Sequence, residues 1–208
     1  TYFHNTFRER DFASEDLQRV WRAESDWMQR AAAVFFESEW GAEETRKAYG
    51  IPGDNFVSIG RGGNVPIPDQ DRYDGRSRAV VTMARNFRQK GGDLMLEAYH
   101  RLKSRHPRLE WHIVGGRPDA AVSGVDGIHY HGFLKKTDPA QLKEFQGVLE
   151  QAFLLVHPTR EDTNPLVISE AGYFGCPSIS VNRFAIPELI RNGETGVLLE
   201  PRVDGAML

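Results

Sequence analysis

The chain lacks the features that mark several common protein classes. Its 208 residues include a single cysteine, Cys176, which rules out a disulfide framework within the chain and is consistent with a reducing compartment. No apolar run approaches the roughly 20 residues that a membrane-spanning helix needs. The net charge of −3 gives no overall attraction to nucleic acid or to an anionic membrane. With 40% hydrophobic residues, the composition instead favours a soluble globular protein with a sizeable core.

Sequence motifs of several enzyme classes are also missing. There is no G-x-S-x-G turn, no Walker A loop and no G-x-G-x-x-G after the first strand of the main predicted domain. His129, His131 and His157 show no metal-ligand spacing that includes a cysteine or an HExxH helix, so we expect no zinc site and no metal. The first residues, TYFHNTFRERDF, are polar and charged, so we expect no signal peptide and a cytoplasmic location.

From Gly75 onward, short β-rich runs alternate with amphipathic helical stretches, which is typical of a parallel sheet covered by helices. The predicted strands are residues 79–84, 109–114, 128–130, 153–156, 178–181 and 196–199. The predicted helices are residues 93–104, 139–151 and 165–174. This α/β pattern predicts a Rossmann-like domain with a parallel sheet of about six strands and helices on both faces.

A different block precedes this domain. It contains a predicted helix that starts at Ser14, strands at 33–36 and 56–59, a helix at 43–49 and the glycine-rich segment GRGGNVPIPD. We therefore expect residues 1–60 to be the end of an incomplete amino-terminal domain, 61–75 a hinge or linker, and 76–208 the main domain. Residues 1–3 resemble the tail of a strand and no closing helix follows the last strand, so we expect a fragment of a longer protein.

Charged residues follow two of the predicted strands. Arg85 and Lys90 follow the strand 79–84, where two cations could hold a diphosphate or could form a solvated basic loop. Asp162 and Glu170, with seven residues between them, flank the helix start that Pro165 indicates. Asp162 could bind a ligand in the crevice at the strand end, or it could cap this helix.

The helix that carries Glu170 offers further ligand contacts. Unpaired backbone N–H groups in its first turn, near Leu166 and Val167, favour an anion. Glu170 lies in an otherwise apolar helix, where a carboxylate needs a partner, and a vicinal diol such as a ribose would satisfy it. His4, at an apparent strand end, is a further candidate, although a lone histidine is commonly incidental.

Several segments together resemble one enzyme family. Arg85, Lys90 and Gly91, with the segments LEWHIVGG, HYHGFL, VHPTRED, NPLVISEAGYFGCP and IPELIRNGETGVLL, resemble the carboxyl-terminal domain of a family 4 retaining glycosyltransferase of the GT-B fold. The resemblance covers residues 55–201. That family usually has glutamate at both ends of the acidic pattern, whereas this chain has Asp162 at the first end, and Thr163, Asn164 and Pro165 replace the family's glycines.

The resemblance implies transfer of a sugar from a nucleotide-diphosphate donor to an acceptor, with retention of configuration and with no metal or other cofactor. Arg85 and Lys90 would neutralise the departing diphosphate, Asp162 would accept a hydrogen bond from a sugar hydroxyl, and His4 would face the donor sugar. Glu170 would bind the ribose hydroxyls. The remaining donor contacts would come from Asn164, Leu166, Val167, Gly132, Phe133 and Leu134.

Other functions are compatible with the same domain. The chain could belong to another GT-B enzyme, such as a nucleotide-sugar epimerase or a sugar phosphorylase, or it could be a non-catalytic nucleotide-sugar-binding module. The expected partners are the donor and an unknown sugar, lipid or small-molecule acceptor, with no nucleic acid. Trp21, Trp27 and nearby arginines leave open a peripheral contact with the inner face of the membrane, although a helix packed between domains would have the same pattern.

Overall fold

The computed structural model describes residues 13–70 and 73–201, and their contacts divide the chain into two compact units, Thr1–Arg61 and Gly62–Leu208. The division falls at the beginning of the segment expected to be a linker. The candidate residue His4 and the strand expected at residues 1–3 lie outside the described residues. The roles expected of residues 1–60 and 61–75 remain predictions.

The first unit contains two helices and a small parallel sheet. Its elements are α1 (Ser14–Arg30), β1 (Val34–Phe36), α2 (Glu39–Tyr49) and β2 (Phe56–Ser58). Strands β1 and β2 pair in parallel, and Met28, Val34 and Ile51 form a small buried core.

Helix α2 starts four residues before the expected position, Glu43, because its first turn has an effective cap. The Ser38 hydroxyl accepts a hydrogen bond from the Gly41 N–H at 3.0 Å and so satisfies a donor that would otherwise be unpaired. The helix ends at Gly50, whose φ of 61° is left-handed. The start predicted at Glu43 was therefore wrong.

The second unit contains a six-stranded, all-parallel sheet, as the sequence predicted. The order across the sheet is β5-β4-β3-β6-β7-β8. The strands are β3 (Ala79–Ala84), β4 (Glu110–Gly115), β5 (Ile128–Gly132), β6 (Ala152–His157), β7 (Ser178–Val181) and β8 (Gly196–Leu199). Each one overlaps a strand expected from the sequence, with ends that differ by at most two residues.

The helices of this unit are α3 (Gly92–Lys103), α4 (Pro139–Glu150), α5 (Leu166–Tyr173) and α6 (Ile186–Leu189), with a 3-10 turn at Ala120–Val122. The three longer helices were expected. Helix α6 and the 3-10 turn were not, because three or four residues are too short to show helical periodicity. None of the helices in the described part of the chain has the length and apolar character that crossing a bilayer requires.

Buried apolar side chains lie on both faces of the sheet. Neighbouring residues of one strand point to opposite faces, so Val80 packs with Tyr99 of α3 and Val81 packs with Leu149 of α4. On the first face, the Trp111 ring is fully buried and its indole N–H donates to the Thr82 hydroxyl at 3.0 Å. These contacts fix the strands and hence the positions of their carboxyl ends.

The order of the strands creates a switch point in the sheet. The chain passes from β3 through β4 to β5 at one edge and then returns to β6 on the other side of β3. The loops after β3 and β6 therefore diverge and leave a crevice between the carboxyl ends of these two strands.

Candidate functional site

The loops that follow β3 and β6 lie in direct contact at the switch point. Gly91 ends the β3 loop with a φ of 78°, and a Cβ atom at this position would lie 2.1 Å from the Pro158 carbonyl oxygen. Only glycine permits both this backbone conformation and this approach. The backbone of Arg160 also donates to the Gln89 carbonyl at 2.9 Å, which joins the two loops again.

Lys90 connects the two loops through its side chain. Its Nζ lies 2.8 Å from Oδ2 of Asp162 and donates to the Glu161 carbonyl oxygen at 2.8 Å. The structure thus brings together two residues that the sequence placed on separate strand ends. It also pairs the Lys90 ammonium with the carboxylate of Asp162, while the Glu161 carboxylate accepts from the Gln89 amide at 2.8 Å.

Asp162 has a second partner that the sequence did not predict. Nε2 of His157, the last residue of β6, lies 3.2 Å from the same Oδ2 atom, and the His157 ring is almost completely buried. Burial raises the pKa of Asp162, but the hydrogen bonds from His157 and Lys90 outweigh it and hold this pKa below its usual value of 3.8. Asp162 is therefore an anion with one carboxylate oxygen, Oδ1, that has no hydrogen-bond partner among the described residues.

Asp162 does not cap the next helix, which was the alternative left open by the sequence. The residue before α5 is Pro165, and no side chain accepts a hydrogen bond there. The turn is held instead by its backbone, since the Thr163 carbonyl accepts from the Ala185 N–H at 3.0 Å. The first-turn amides of Leu166 and Val167 have no carbonyl within their own helix to bond, as at any helix start.

Arg85 follows the last residue of β3 and its side chain is exposed. Of the described residues, none forms a hydrogen bond or an ion pair with this guanidinium. The Arg85 carbonyl oxygen lies 2.1 Å from the position that a Cβ atom on Gly116 would occupy, so the loops after β3 and β4 approach closely here. Arg85 thus offers an available cation in the same loop as Lys90.

Glu170 is completely buried in α5, and its hydrogen-bond partners come from segments other than the loops that hold Arg85 and Lys90. Its Oε1 accepts from the Lys136 ammonium at 2.5 Å and from the Asn64 N–H at 3.1 Å. Its Oε2 is buried with no hydrogen-bond partner among the described residues. The carboxylate is therefore held in place through one oxygen and has free hydrogen-bonding capacity on the other.

The sequence did not identify the residues that hold Glu170. Lys136 also donates to the Asn64 side-chain oxygen at 2.7 Å and lies 4.4 Å from the centre of the Phe145 ring. A Cβ atom on Gly63 would lie 2.5 Å from Cγ of Glu170, so this glycine allows the segment after residue 61 to cross α5 closely. These contacts come from segments far apart in the chain, and no local pattern indicates them.

The predicted strand-end segment 132–134 lies at the carboxyl end of β5, the edge strand of the sheet. Gly132 has a left-handed φ of 75°, Phe133 is 60% exposed and Leu134 is buried in the core. The same connection leads within two residues to Lys136 and hence to Glu170. The last residue of β5 and the segments after β5, β3 and β6, together with α5 and the turn before it, thus carry every predicted site residue in the described part of the chain. Asn164 lies in this turn and has an interaction of its own.

An open depression of about 430 Å³ adjoins the two loops. It is lined by Arg88, Gln89, Asp93, Arg160 and Glu161. Both terminal nitrogens of Arg160 contact the Asp93 carboxylate, at 2.7 and 2.9 Å, in a fork that fixes the first turn of α3 against the β6 loop. This pair adds a further contact between α3 and the loop after β6.

The histidines form two separate groups, which their spacing in the sequence did not indicate. His157 lies beside Asp162, whereas His129 and His131 of β5 lie beside His112 of β4. Burial lowers the pKa of His112, and its two histidine neighbours lower this pKa further. Within the described ranges, Glu110, His112 and His129 place one potential ligand atom each within 4.8 Å of one another.

Comparison with known proteins assigns the family. Residues 77–207 match the model of the family described as glycosyl transferases group 1. The chain belongs to this family. The match spans all six strands of the sheet and includes Arg85, Lys90, Asp162 and Glu170. The family resemblance inferred from the sequence is therefore confirmed.

One curated relative and two solved structures show how far the similarity extends. The chain is 26% identical over 170 residues to the D-inositol 3-phosphate glycosyltransferase of Rhodococcus jostii, an alignment that covers 77% of this chain and 38% of that protein. It superposes on the pneumococcal O-GlcNAc transferase GtfA in complex with UDP and GlcNAc with a TM-score of 0.69 at 15% identity, covering 91% of this chain and 38% of the other. It superposes on Anabaena HepE in complex with UDP with a TM-score of 0.66 at 18% identity, covering 93% and 56%.

These similarities define the fold and the extent of the shared region. At 15% and 18% identity, the solved structures show a common GT-B fold, which confirms the fold class expected from the sequence. The chain spans less than half the length of the curated relatives it matches.

Proposed function

We propose that the chain is mainly the donor-binding part of a glycosyltransferase that moves a sugar from a nucleoside-diphosphate sugar to an acceptor with retention of configuration. The observation that carries this proposal is the Lys90–Asp162 pair, which places a cation and an anion side by side at the switch point of the sheet. A nucleoside-diphosphate sugar needs both, because its phosphates require positive charge and its sugar hydroxyls require acceptors.

Lys90 retains capacity for a phosphate although it is already paired. An ammonium group has three N–H donors, and the Glu161 carbonyl and Asp162 account for two of them. The third donor, together with the available guanidinium of Arg85, can neutralise the charge that develops on the departing diphosphate. Such fixed cations stabilise the transition state more than the ground state.

Asp162 and Glu170 supply acceptors in a similar way. In each carboxylate one oxygen is held by the protein, and the other has no hydrogen-bond partner among the described residues. The free oxygen of Asp162 is suited to a sugar hydroxyl. The free oxygen of Glu170 would accept from a ribose hydroxyl after the segment at Gly63 that covers it moves aside. Amides of Leu166 and Val167 would contact the phosphate or the sugar, and backbone groups of residues 132–134 would contact the base.

Nucleotide binding is the first test of this proposal. Calorimetric titration of the chain with UDP, GDP and ADP should show one site for at least one of them, and UDP comes first because the solved structures of GtfA and HepE contain it. Arg85→Ala should weaken binding, whereas Arg101→Ala, which changes an exposed arginine on α3 away from the loops, should not. The proposal would be abandoned if none of the three nucleotides bound.

Transfer itself is tested in the full-length enzyme that the sequence leads us to expect. Lys90→Ala should lower the rate by about 10²–10³, the usual effect of removing one group that stabilises developing negative charge. Retention rests on the family resemblance alone, and nuclear magnetic resonance of the first product formed distinguishes the two anomers. An initial product of inverted configuration would refute this part of the proposal.

A second candidate, nucleotide-sugar binding without turnover, is favoured by one observation. The chain spans 38% and 43% of its curated relatives, so more than half the length of each relative has no counterpart in it. The isolated chain is therefore expected to bind the nucleotide without transferring sugar. Release of nucleoside diphosphate by the isolated chain, dependent on an added acceptor, would contradict this expectation.

A further inference from the structure

A polar patch on the outer part of the sheet has no role in the proposed transfer reaction. It consists of Glu110 and His112 on β4 with His129 and His131 on the edge strand β5. His112 and His129 are register partners, and residues two apart on a strand share a face, so all four side chains lie on one face. We call these four residues the histidine patch.

The geometry within the patch is close to that of a metal site. Oε2 of Glu110 lies 3.7 Å from Nε2 of His112 and 3.9 Å from Nε2 of His129. In a tetrahedral zinc site with bonds of 2.0–2.1 Å, ligand atoms are about 3.4 Å apart. The two half-exposed side chains, Glu110 and His129, can close the remaining gap by small rotations.

A hydrogen bond on the other ring nitrogen of His112 prepares its Nε2 for metal binding. Its Nδ1 lies 2.9 Å from Nε2 of His131, and Nδ1 of His131 lies 3.0 Å from the Glu144 carboxylate on α4. The carboxylate can only accept, so His131 carries its proton on Nδ1 and offers a lone pair on Nε2. His112 then donates from Nδ1, which leaves its Nε2 as a lone pair directed towards the patch.

This chain of hydrogen bonds is the arrangement that supports metal-binding histidines in proteins. A ligating histidine usually donates its other N–H to an acceptor, which fixes the tautomer and the ring orientation. Here His131 and Glu144 take that position behind His112. No spacing of residues along the chain indicates this arrangement, because the ligands come from two paired strands and not from one spaced motif.

We propose that Glu110, His112 and His129 bind a divalent transition metal, with Zn²⁺ as the best fit, and that His131 and Glu144 support His112 from the outer sphere. Two imidazoles and one carboxylate suit zinc and leave the fourth position open to water or to another ligand. The patch lies on β4 and β5, whereas the Lys90–Asp162 pair lies beyond β3 and β6, so the metal takes no part in the proposed sugar transfer.

Metal titration of the whole chain, prepared without a histidine tag, tests this inference. Calorimetry with Zn²⁺ should give one site with a dissociation constant well below about 1 mM, and Co²⁺ should give the visible absorption spectrum of a site with nitrogen ligands. Mg²⁺, which prefers oxygen ligands, should not compete. No Zn²⁺ binding below 1 mM would overturn the proposal.

Variants locate the site. His129→Ala should abolish Zn²⁺ binding, and its fold is checked by circular dichroism because His129 is half exposed on the edge strand. His131→Ala should weaken binding by about 10- to 100-fold, as expected for an outer-sphere residue. His106→Ala, which removes an exposed histidine outside the patch, should bind like the original chain. Zn²⁺ binding that survives in His129→Ala, or that is lost in His106→Ala, would refute the assignment.

Discussion

Replacement of Lys136 by methionine should destabilise the protein, because it leaves the Glu170 carboxylate buried without its cation. Glu170 is completely buried and would keep only the Asn64 N–H as a partner. Removing one member of a buried ion pair costs about 3–5 kcal/mol. The Lys136 side chain is 24% exposed, so water can replace part of the lost interaction, and we expect a decrease of about 2–3 kcal/mol in the free energy of unfolding.

The size of the interaction follows from a double-mutant cycle. Glu170→Met should cost about 1–2 kcal/mol, because the Asn64 N–H loses its acceptor. The double variant Lys136→Met/Glu170→Met contains no unpaired charge, and it should cost about as much as Glu170→Met alone. The two effects should therefore fall short of additivity by about 2–3 kcal/mol, the full effect of Lys136→Met.

Urea unfolding followed by circular dichroism gives the required free energies. Lys135→Met is the matched control, since Lys135 is exposed, lies next to Lys136 and forms hydrogen bonds only through its backbone, which the substitution leaves in place. A loss in Lys136→Met no larger than in Lys135→Met, or strictly additive effects in the cycle, would show that the buried pair does not exist as described.

Two further predictions concern the contact between the loops. Gly91→Ala should lower the melting temperature far more than Gly172→Ala, because only the Gly91 position has a left-handed φ and a carbonyl oxygen 2.1 Å from the added methyl group; equal shifts would contradict the close approach to Pro158. The lowered pKa of Asp162 stabilises the fold above pH 3.8, and this stabilisation is lost as the pH falls through the folded-state pKa. Unfolding at several pH values should thus show Asp162→Asn less stable than the original chain near pH 7 and a smaller difference near pH 3, whereas a constant difference would be inconsistent with this pKa.

The fold could be predicted largely from local patterns. The run Val80, Val81, Thr82, Met83 forms a strand that is buried on both faces, and such a strand reads as a continuous apolar run in the sequence. Helix ends depended on single contacts, such as the Ser38 cap of α2, and were predicted less well. Helix α6 was missed because four residues do not display a helical period.

The candidate site could be predicted only in part. Lys90 and Asp162 follow neighbouring strands, so the topology alone brings them near each other, and the structure shows them in contact. His157 as a partner of Asp162, and Lys136 and Asn64 as partners of Glu170, could not be predicted. These contacts depend on how side chains from separate segments fill the interior, which strand and helix periodicity does not encode.

The central claim is that Lys90 holds the diphosphate. It is tested most directly by measuring how much the second phosphate of the nucleotide adds to the binding affinity. We would determine by calorimetry the affinities of UDP and UMP, or of whichever nucleotide pair binds, for the original chain and for Lys90→Met. A charge-assisted contact of about 1.5–3 kcal/mol predicts that Lys90→Met lowers the preference for the diphosphate by roughly 10- to 150-fold and leaves monophosphate binding nearly unchanged. An unchanged preference for the diphosphate in Lys90→Met would contradict the account.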